Sequence, residues 1–292
     1  ILINVNYLAI GYFILTISII TGLYGVMLAI VQHNLKKLLA YHSVENIGII
    51  GIGIGVGCIG LGYDNVMLSL IGFAGALLHV LNHSLFKSML FFGAGNVYQA
   101  THCMDIEHFG GLMRRMPQTA LLFLLASLAI CGLPPFNGFV SEFIIYNGLF
   151  SGVNCAPTSG QVLVFVLSAA GLAIIGGLAI MCFTKAFGIV FLGEPRRQFH
   201  AEPHEAGFVK LLPMYIAGML ILLIGLFPQL FISAIDDVLC QFTAYLPDAQ
   251  AFIPPSFSAV GNIGRYMWAF LLLVVLLLGL RRLVAVRLPQ SA

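Results

Sequence analysis

The sequence predicts an all-α polytopic membrane protein of about seven transmembrane helices, and three observations carry that prediction. Only 8% of the 292 residues are charged while 60% are hydrophobic, against about 25% charged in a soluble domain. The mean hydropathy of +1.02 means more apolar surface than a soluble core could hide, so the solvent for most of the chain is lipid. The apolar residues also fall into runs longer than the roughly 20 residues a bilayer requires, separated by polar connections. Helices follow because lipid satisfies no backbone group, which an open sheet would need. A net charge of +2 gives no reason to expect nucleic acid.

The spans are expected near 7–32, 43–62, 66–99, 117–150, 161–192, 211–235 and 264–288. Span one follows Ile1 without the basic stretch or cleavage site of a signal peptide, and the chain reads as a piece of something longer. In "AYHSVENIG", ahead of span two, Ser43 reads as the N-cap and Glu45 as a favourable first-turn charge. His42 and Glu45 are also the candidates for proton access from the cytoplasmic side. "GVGCIG" at 55–60 has the spacing of a dinucleotide fingerprint, but it follows no strand and lies in an apolar run. The glycines from Gly48 to Gly62 fit close helix packing instead.

Span three, about 50 Å long at 1.5 Å per residue, must tilt or protrude. It carries "HVLNHSLFKSML", in which His79, His83 and Lys87 recur every four residues on one face. A lysine at mid-bilayer costs about 2.5–3.5 kcal/mol. Either it snorkels to the interface or it belongs to a polar pathway, with Asn82 and Ser84 placed to help hold water. Span four contains "CGLPPFNGF": Pro134 and Pro135 remove two amide donors and Gly132 and Gly138 loosen the flanks, so two half-helices with an unwound joint are expected. Such breaks occur where they line a cavity or polar route. Just beyond it Glu142 stands in "GFVSEFIIYNGLF". Burial penalises the charged form of a carboxyl or an amine, so Lys87, Glu142, His83 and His79 have the makings of a proton relay; an ion pair of Glu142 with Lys87 bracing two helices is the alternative.

The connections test the count. Lys36, Lys37, Arg114, Arg115, Lys185, Arg196, Arg197, Lys210, Arg281, Arg282 and Arg287 all fall on one side of a seven-span chain, out of 13 Lys and Arg residues. Asp64, Asp236, Asp237 and Asp248 fall on the other. By the positive-inside rule the basic loops and the C-terminus are cytoplasmic. The mixed-charge tract "GEPRRQFHAEPHEAG" at 193–207 reads as a solvated loop. The six cysteines show no zinc spacing, so neither a metal nor a cofactor is expected in this chain.

"HNLKKLLAYHSVENIGII", "HVLNHSLFKSMLFFGAGNVY" and "LPPFNGFVSEF", in that order, resemble the antiporter-like, proton-translocating membrane subunits of respiratory complex I, Mrp-type cation/proton antiporters and membrane-bound hydrogenases. The wording of "YHSVENIG" is most similar to the large membrane subunits of formate hydrogenlyase and hydrogenase-4. The resemblance covers roughly residues 5–195. It implies that residues 1–195 form the second of two inverted five-helix repeats, with 196–292 a two-helix extension. It implies that Lys87, His83, His79 and Glu142 belong to a lateral chain of charged residues at mid-membrane. It also implies that the first repeat lies on a longer chain or another polypeptide.

The resulting expectation is a proton- or Na⁺-translocating subunit of a multisubunit redox complex in a bacterial or archaeal inner membrane. Its partners would be membrane lipid, other antiporter-like subunits and a peripheral redox arm carrying iron–sulfur clusters with a NiFe centre or flavin. A standalone antiporter module and a non-conducting scaffold are the alternatives.

Overall fold

The computed structural model describes residues 5–196, 202–244 and 255–285. Ten α-helices follow in order: α1 Tyr7–Ile30, α2 Leu35–Gly62, α3 Val66–Thr101, α4 Pro117–Ile130, α5 Asn137–Cys155, α6 Ser159–Phe191, α7 Phe208–Leu226, α8 Pro228–Ser233, α9 Asp236–Thr243 and α10 Pro255–Ala285. Six of them (α1, α2, α3, α6, α7 and α10) are long and apolar enough to cross a bilayer. The expected fourth span is split into α4 and α5 by the joint from Cys131 to Phe136. Among the described residues the β-structure is a single antiparallel bridge, Asn34 to Asp105.

Asparagine or threonine opens four of the spanning helices. Asn6, Asn34, Asn65 and Thr158 each accept from the backbone N–H three residues on, satisfying donors that would otherwise lack a partner. The start of α2 corrects the sequence reading. The helix begins at Leu35 rather than near 43, because Asn34 is the cap, receiving Lys37 N–H at 3.1 Å. Leu35, Leu38 and Leu39 are already fully buried. Ser43, His42 and Glu45 are therefore interior to the helix, and Glu45 is no capping residue. The sixth expected span also ends sooner: α7 stops at Leu226, and Phe227 with Pro228 turns the chain into α8 and α9. The last expected span begins earlier, at Pro255.

α2 is packed on two sides by its glycines. A Cβ on Gly48 would stand 2.6 Å from Gly22 Cα of α1, and one on Gly55 2.9 Å from Leu15 Cα. On the other side a Cβ on Gly53 would meet Ala76 at 3.0 Å and one on Gly57 the ring of Phe73 at 2.8 Å. Small residues let helix backbones approach closely where lipid supplies no hydrophobic drive for association. The core continues around this sandwich. Phe86, Phe123, Phe183 and Phe191 fill the half nearer the basic loops, while Phe73, Val140, Ile224 and Ile263 fill the other half.

The basic loops meet on one face. Glu107 takes His33 at 3.1 Å and Arg196 at 3.0 Å, and Arg115 pairs with Glu202 at 3.1 Å. Glu205 accepts from Gln118 N–H (2.7 Å) and the Thr119 hydroxyl (2.6 Å), capping α4, whose own N-cap Met116 offers no side-chain bond. α8 and α9 lie at the opposite end, where Phe242 stacks on Phe73 of α3 at 4.8 Å. Arg197, Asp248 and Arg287 lie outside the described residues.

Candidate functional site

The polar residues of α3 face inward. Lys87 is 5% exposed, donates to the Leu39 carbonyl of α2 and lies 5.7 Å from the Phe91 ring centre. It does not snorkel. Nor does it form an ion pair with Glu142 among the described residues. Glu45 is 1% exposed and bonded to His42, itself fully buried one turn earlier with its ring 4.5 Å from that of Phe183. The two candidates for cytoplasmic access thus sit about 10 and 15 Å along α2 from its basic end, as part of the same interior cluster.

His79 links three helices. Its Nδ1 lies 2.9 Å from Ser141 Oγ of α5 and its Nε2 lies 3.1 Å from Asn46 Oδ1 of α2. Asn46 Nδ2 is committed to the His42 carbonyl at 2.8 Å, so Asn46 presents its oxygen and His79 must donate from Nε2. Nδ1 then accepts from Ser141 when the ring is neutral and donates to it when the ring is cationic. Ser141 can meet both conditions, because its hydroxyl has the Gly138 carbonyl as a second acceptor at 3.1 Å. Asn82 donates to Ser141 Oγ at 2.9 Å and to the Asn137 carbonyl at 2.8 Å, and Asn137 Nδ2 returns a bond to Asn82 Oδ1 at 3.0 Å. The first turn of α5 is thereby tied to α3 beside the break.

The break itself is built from Gly132, at φ +61°, and the Pro134–Pro135 pair, whose peptide bond is cis. Gly132 lies against the Glu142 side chain: a Cβ there would stand 2.9 Å from the carboxyl carbon. Gly138 does not loosen the flank as expected. It sits inside α5 with the Ala129 carbonyl of α4 where a Cβ would go, so it is a contact point between the half-helices.

His83 Nε2, His42 Nε2 and Asn137 Oδ1 are buried without a protein partner, and with Ser69 Oγ they make up all such side-chain atoms among the described residues. Buried polar atoms of this kind are ordinarily met by water. Of the expected set, His79 is the one that hydrogen bonds tie to both α5 and α2; Lys87 bonds to Leu39 of α2, His83 Nε2 has no protein partner, and Glu142 lies against Gly132 at the break. Sequence reasoning missed Asn46, Asn137 and Ser141, although Asn46 follows His42, and Ser141 follows Asn137, at the four-residue spacing that marked the α3 stripe. Ser84 is exposed and bonds back to Leu81, so it takes no part.

The sequence profile of the family NADH:quinone oxidoreductase/Mrp antiporter, TM matches residues 1–172. Hydrogenase-4 component B of Escherichia coli K12 is 38% identical over 251 residues, which cover 85% of this chain and 37% of that protein. Formate hydrogenlyase subunit 3 of the same organism is 45% identical over 186 residues, 64% of this chain and 30% of that one. The chain thus spans about a third of the length of these curated relatives. A chain of the membrane-bound sulfane sulfur reductase, an archaeal respiratory membrane complex, superposes with a TM-score of 0.67 at 24% identity over 78% of this chain and 34% of that one. It has the same fold.

Proposed function

This chain belongs to the NADH:quinone oxidoreductase/Mrp antiporter transmembrane family, and from that premise we propose that it translocates protons within a hydrogenase-type redox complex of the cell membrane, with residues 1–195 as one five-helix repeat, 196–292 as an extension and its basic loops cytoplasmic. The reading rests on one observation, the buried polar seam that passes through His79 from Ser141 on α5 to Asn46 on α2.

Along that seam Glu142 and Lys87 are the groups that change charge, and His83 and His79 carry the proton between them through water and the Ser141 hydroxyl. His42 and Glu45 receive the proton from the cytoplasmic side and hold a counter-charge for Lys87. No redox centre is needed in the chain. Iron–sulfur clusters with a NiFe centre or flavin belong, on this reading, to partner subunits, whose charge changes bias the seam. One unit charge at about 10 Å and an effective dielectric constant of about 20 is worth about 1.7 kcal/mol, enough to alter a protonation ratio more than tenfold.

The test uses the assembled complex in proteoliposomes. Lys87→Met and Glu142→Gln should each cut redox-driven internal acidification at least tenfold while uncoupled electron transfer continues. Pumping that survives both substitutions would overturn the reading. A pH change that requires Na⁺ and no electron donor would instead mark a cation/proton antiporter.

A further inference from the structure

A crevice separates α4 from α6 on the half of the molecule that carries the basic loops. Its volume is about 260 Å³, and its walls are mostly apolar, with Leu124 and Leu128 of α4 and Ile180 and Phe187 of α6 beside the hydroxyls of Ser127 and Thr184. It runs along α6 from Leu192 to Ile180, about 18 Å at the helical rise. One leaflet of bilayer hydrocarbon is about 15 Å deep. Cys131 and Leu133, at the helix break, line its inner part. A second cavity, of about 360 Å³, shares Leu192 with the crevice and is lined by Arg114 and Glu194 together with Met113 and Phe191. Two glycine turns shape it. Gly111 (φ +67°) and Gly193 (φ +73°) approach so closely that a Cβ on Gly111 would lie 2.9 Å from the Gly193 carbonyl, and Gly111 N–H bonds to the Leu192 carbonyl at 2.9 Å.

The charges in the upper cavity are distinctive. The neighbouring cations Arg115 and Arg196 are already paired, with Glu202 and Glu107. Arg114 and Glu194 form no ion pair among the described residues, with each other or with a third group. One cation and one anion thus border a single cavity, its other walls largely apolar, that shares Leu192 with an apolar slot of leaflet length.

We propose that the Arg114–Glu194 cavity and the α4–α6 crevice together hold one aminophospholipid. Its phosphate sits on Arg114, its ammonium on Glu194, and one acyl chain fills the crevice as far as Cys131 and Leu133. Arginine suits the phosphate because its planar fork donates two parallel hydrogen bonds. The carboxylate selects the ammonium, which a purely anionic head lacks. An apolar slot of this shape offers water too few polar partners to hold it, whereas an acyl chain loses nothing by entering. The lipid would brace α4 against α6 where α4 ends, beside the turn that contacts Glu142. This assignment stands independently of proton translocation.

Phosphatidylethanolamine with a diazirine at the end of one acyl chain tests it, in nanodiscs containing the whole membrane complex. Photolabel should be found on Leu128, Cys131 and Leu133 at least tenfold above the level on Leu121, a lipid-facing residue of the same helix that is 60% exposed. Arg114→Gln should reduce the labelling at least fivefold. Gly188→Leu should block it by filling the slot; nothing lies within 4 Å of a Cβ at that glycine, so the helix tolerates the change. Glu194→Gln should remove the advantage of unlabelled phosphatidylethanolamine over phosphatidylglycerol as competitor. Label at the crevice no higher than at Leu121, or unmoved by Gly188→Leu, overturns the site. Label unmoved by Arg114→Gln, or a competitor preference unmoved by Glu194→Gln, overturns the headgroup assignment.

Discussion

His79 is held at both ring nitrogens, and what holds it decides what it can do. Asn46 fixes the donor at Nε2, and Ser141 leaves Nδ1 able to accept or donate. Replacing Asn46 by leucine, of similar size, keeps the packing and leaves Nε2–H buried and unpaired, at a cost of about 1–3 kcal/mol. The ring is then free to take the other tautomer. Asn46→Leu should slow proton uptake by proteoliposomes of the assembled complex about tenfold, with the complex still assembled; an unchanged rate would remove His79 from the route. The four-residue spacing of His79, His83 and Lys87 made these groups legible in the sequence. Their partners were not, because a partner depends on the register between helices, and that register is set by glycine contacts far from the polar residues. Glu45 shows the same limit. Beside Ser43 it looked like a first-turn acid, but Asn34 caps the helix nine residues earlier and carries Glu45 into the interior.

Among the elements α2 is the reference against which α1 and α3 are placed. Its glycines divide between two faces, Gly48 and Gly55 toward α1 and Gly53 and Gly57 toward α3, so the helix is thin where it is most enclosed. The abundance of glycine was evident in the sequence, and so was its use in packing rather than in nucleotide binding. The division between faces was hidden, since it needs the partner helices. Overpacking a close contact costs typically about 1–3 kcal/mol. Gly48→Val should therefore lower the thermal unfolding midpoint in detergent and weaken the seam by pushing α2 away from α1. Gly95→Ala in α3 is the control. Nothing lies within 4 Å of a Cβ there, and alanine in a helix interior is favoured by roughly 0.5–1 kcal/mol over glycine, so its midpoint should hold or rise. Equal losses in both variants would mean that the α1–α2 contact is not what limits stability.

On the scale of the molecule, charge and crossing number constrain each other. Each added or missing span would move a block of basic loops to the other face, yet the connections before α2, before α4 and before α7 meet on one face, through His33 and Arg196 on Glu107 and through Arg115 on Glu202. The broken α4–α5 pair must count as one crossing for this to hold, and the sequence signal for it was strong because two adjacent prolines cannot donate to a helix. The extension was harder to read, since α8 and α9 are too short to cross and differ from a span only by the turn at Phe227 and Pro228. Asp236 and Asp237 open α9 on the face away from the basic loops. The proposed orientation rests on the rule that basic loops stay inside, and it can be measured. In a background lacking the other cysteines, Cys240 of α9, which is exposed, should react with a membrane-impermeant maleimide on intact cells. A cysteine at Glu202, whose side chain is 76% exposed, should react only after permeabilisation; the exposed ion pair it breaks is worth at most about 1 kcal/mol. The reverse pattern would place the basic face outside and turn the direction of transport around. Reaction of both from one side would mean that an odd number of crossings does not separate them, and the seven-span count would fail with α7, the one spanning helix between them, its first suspect.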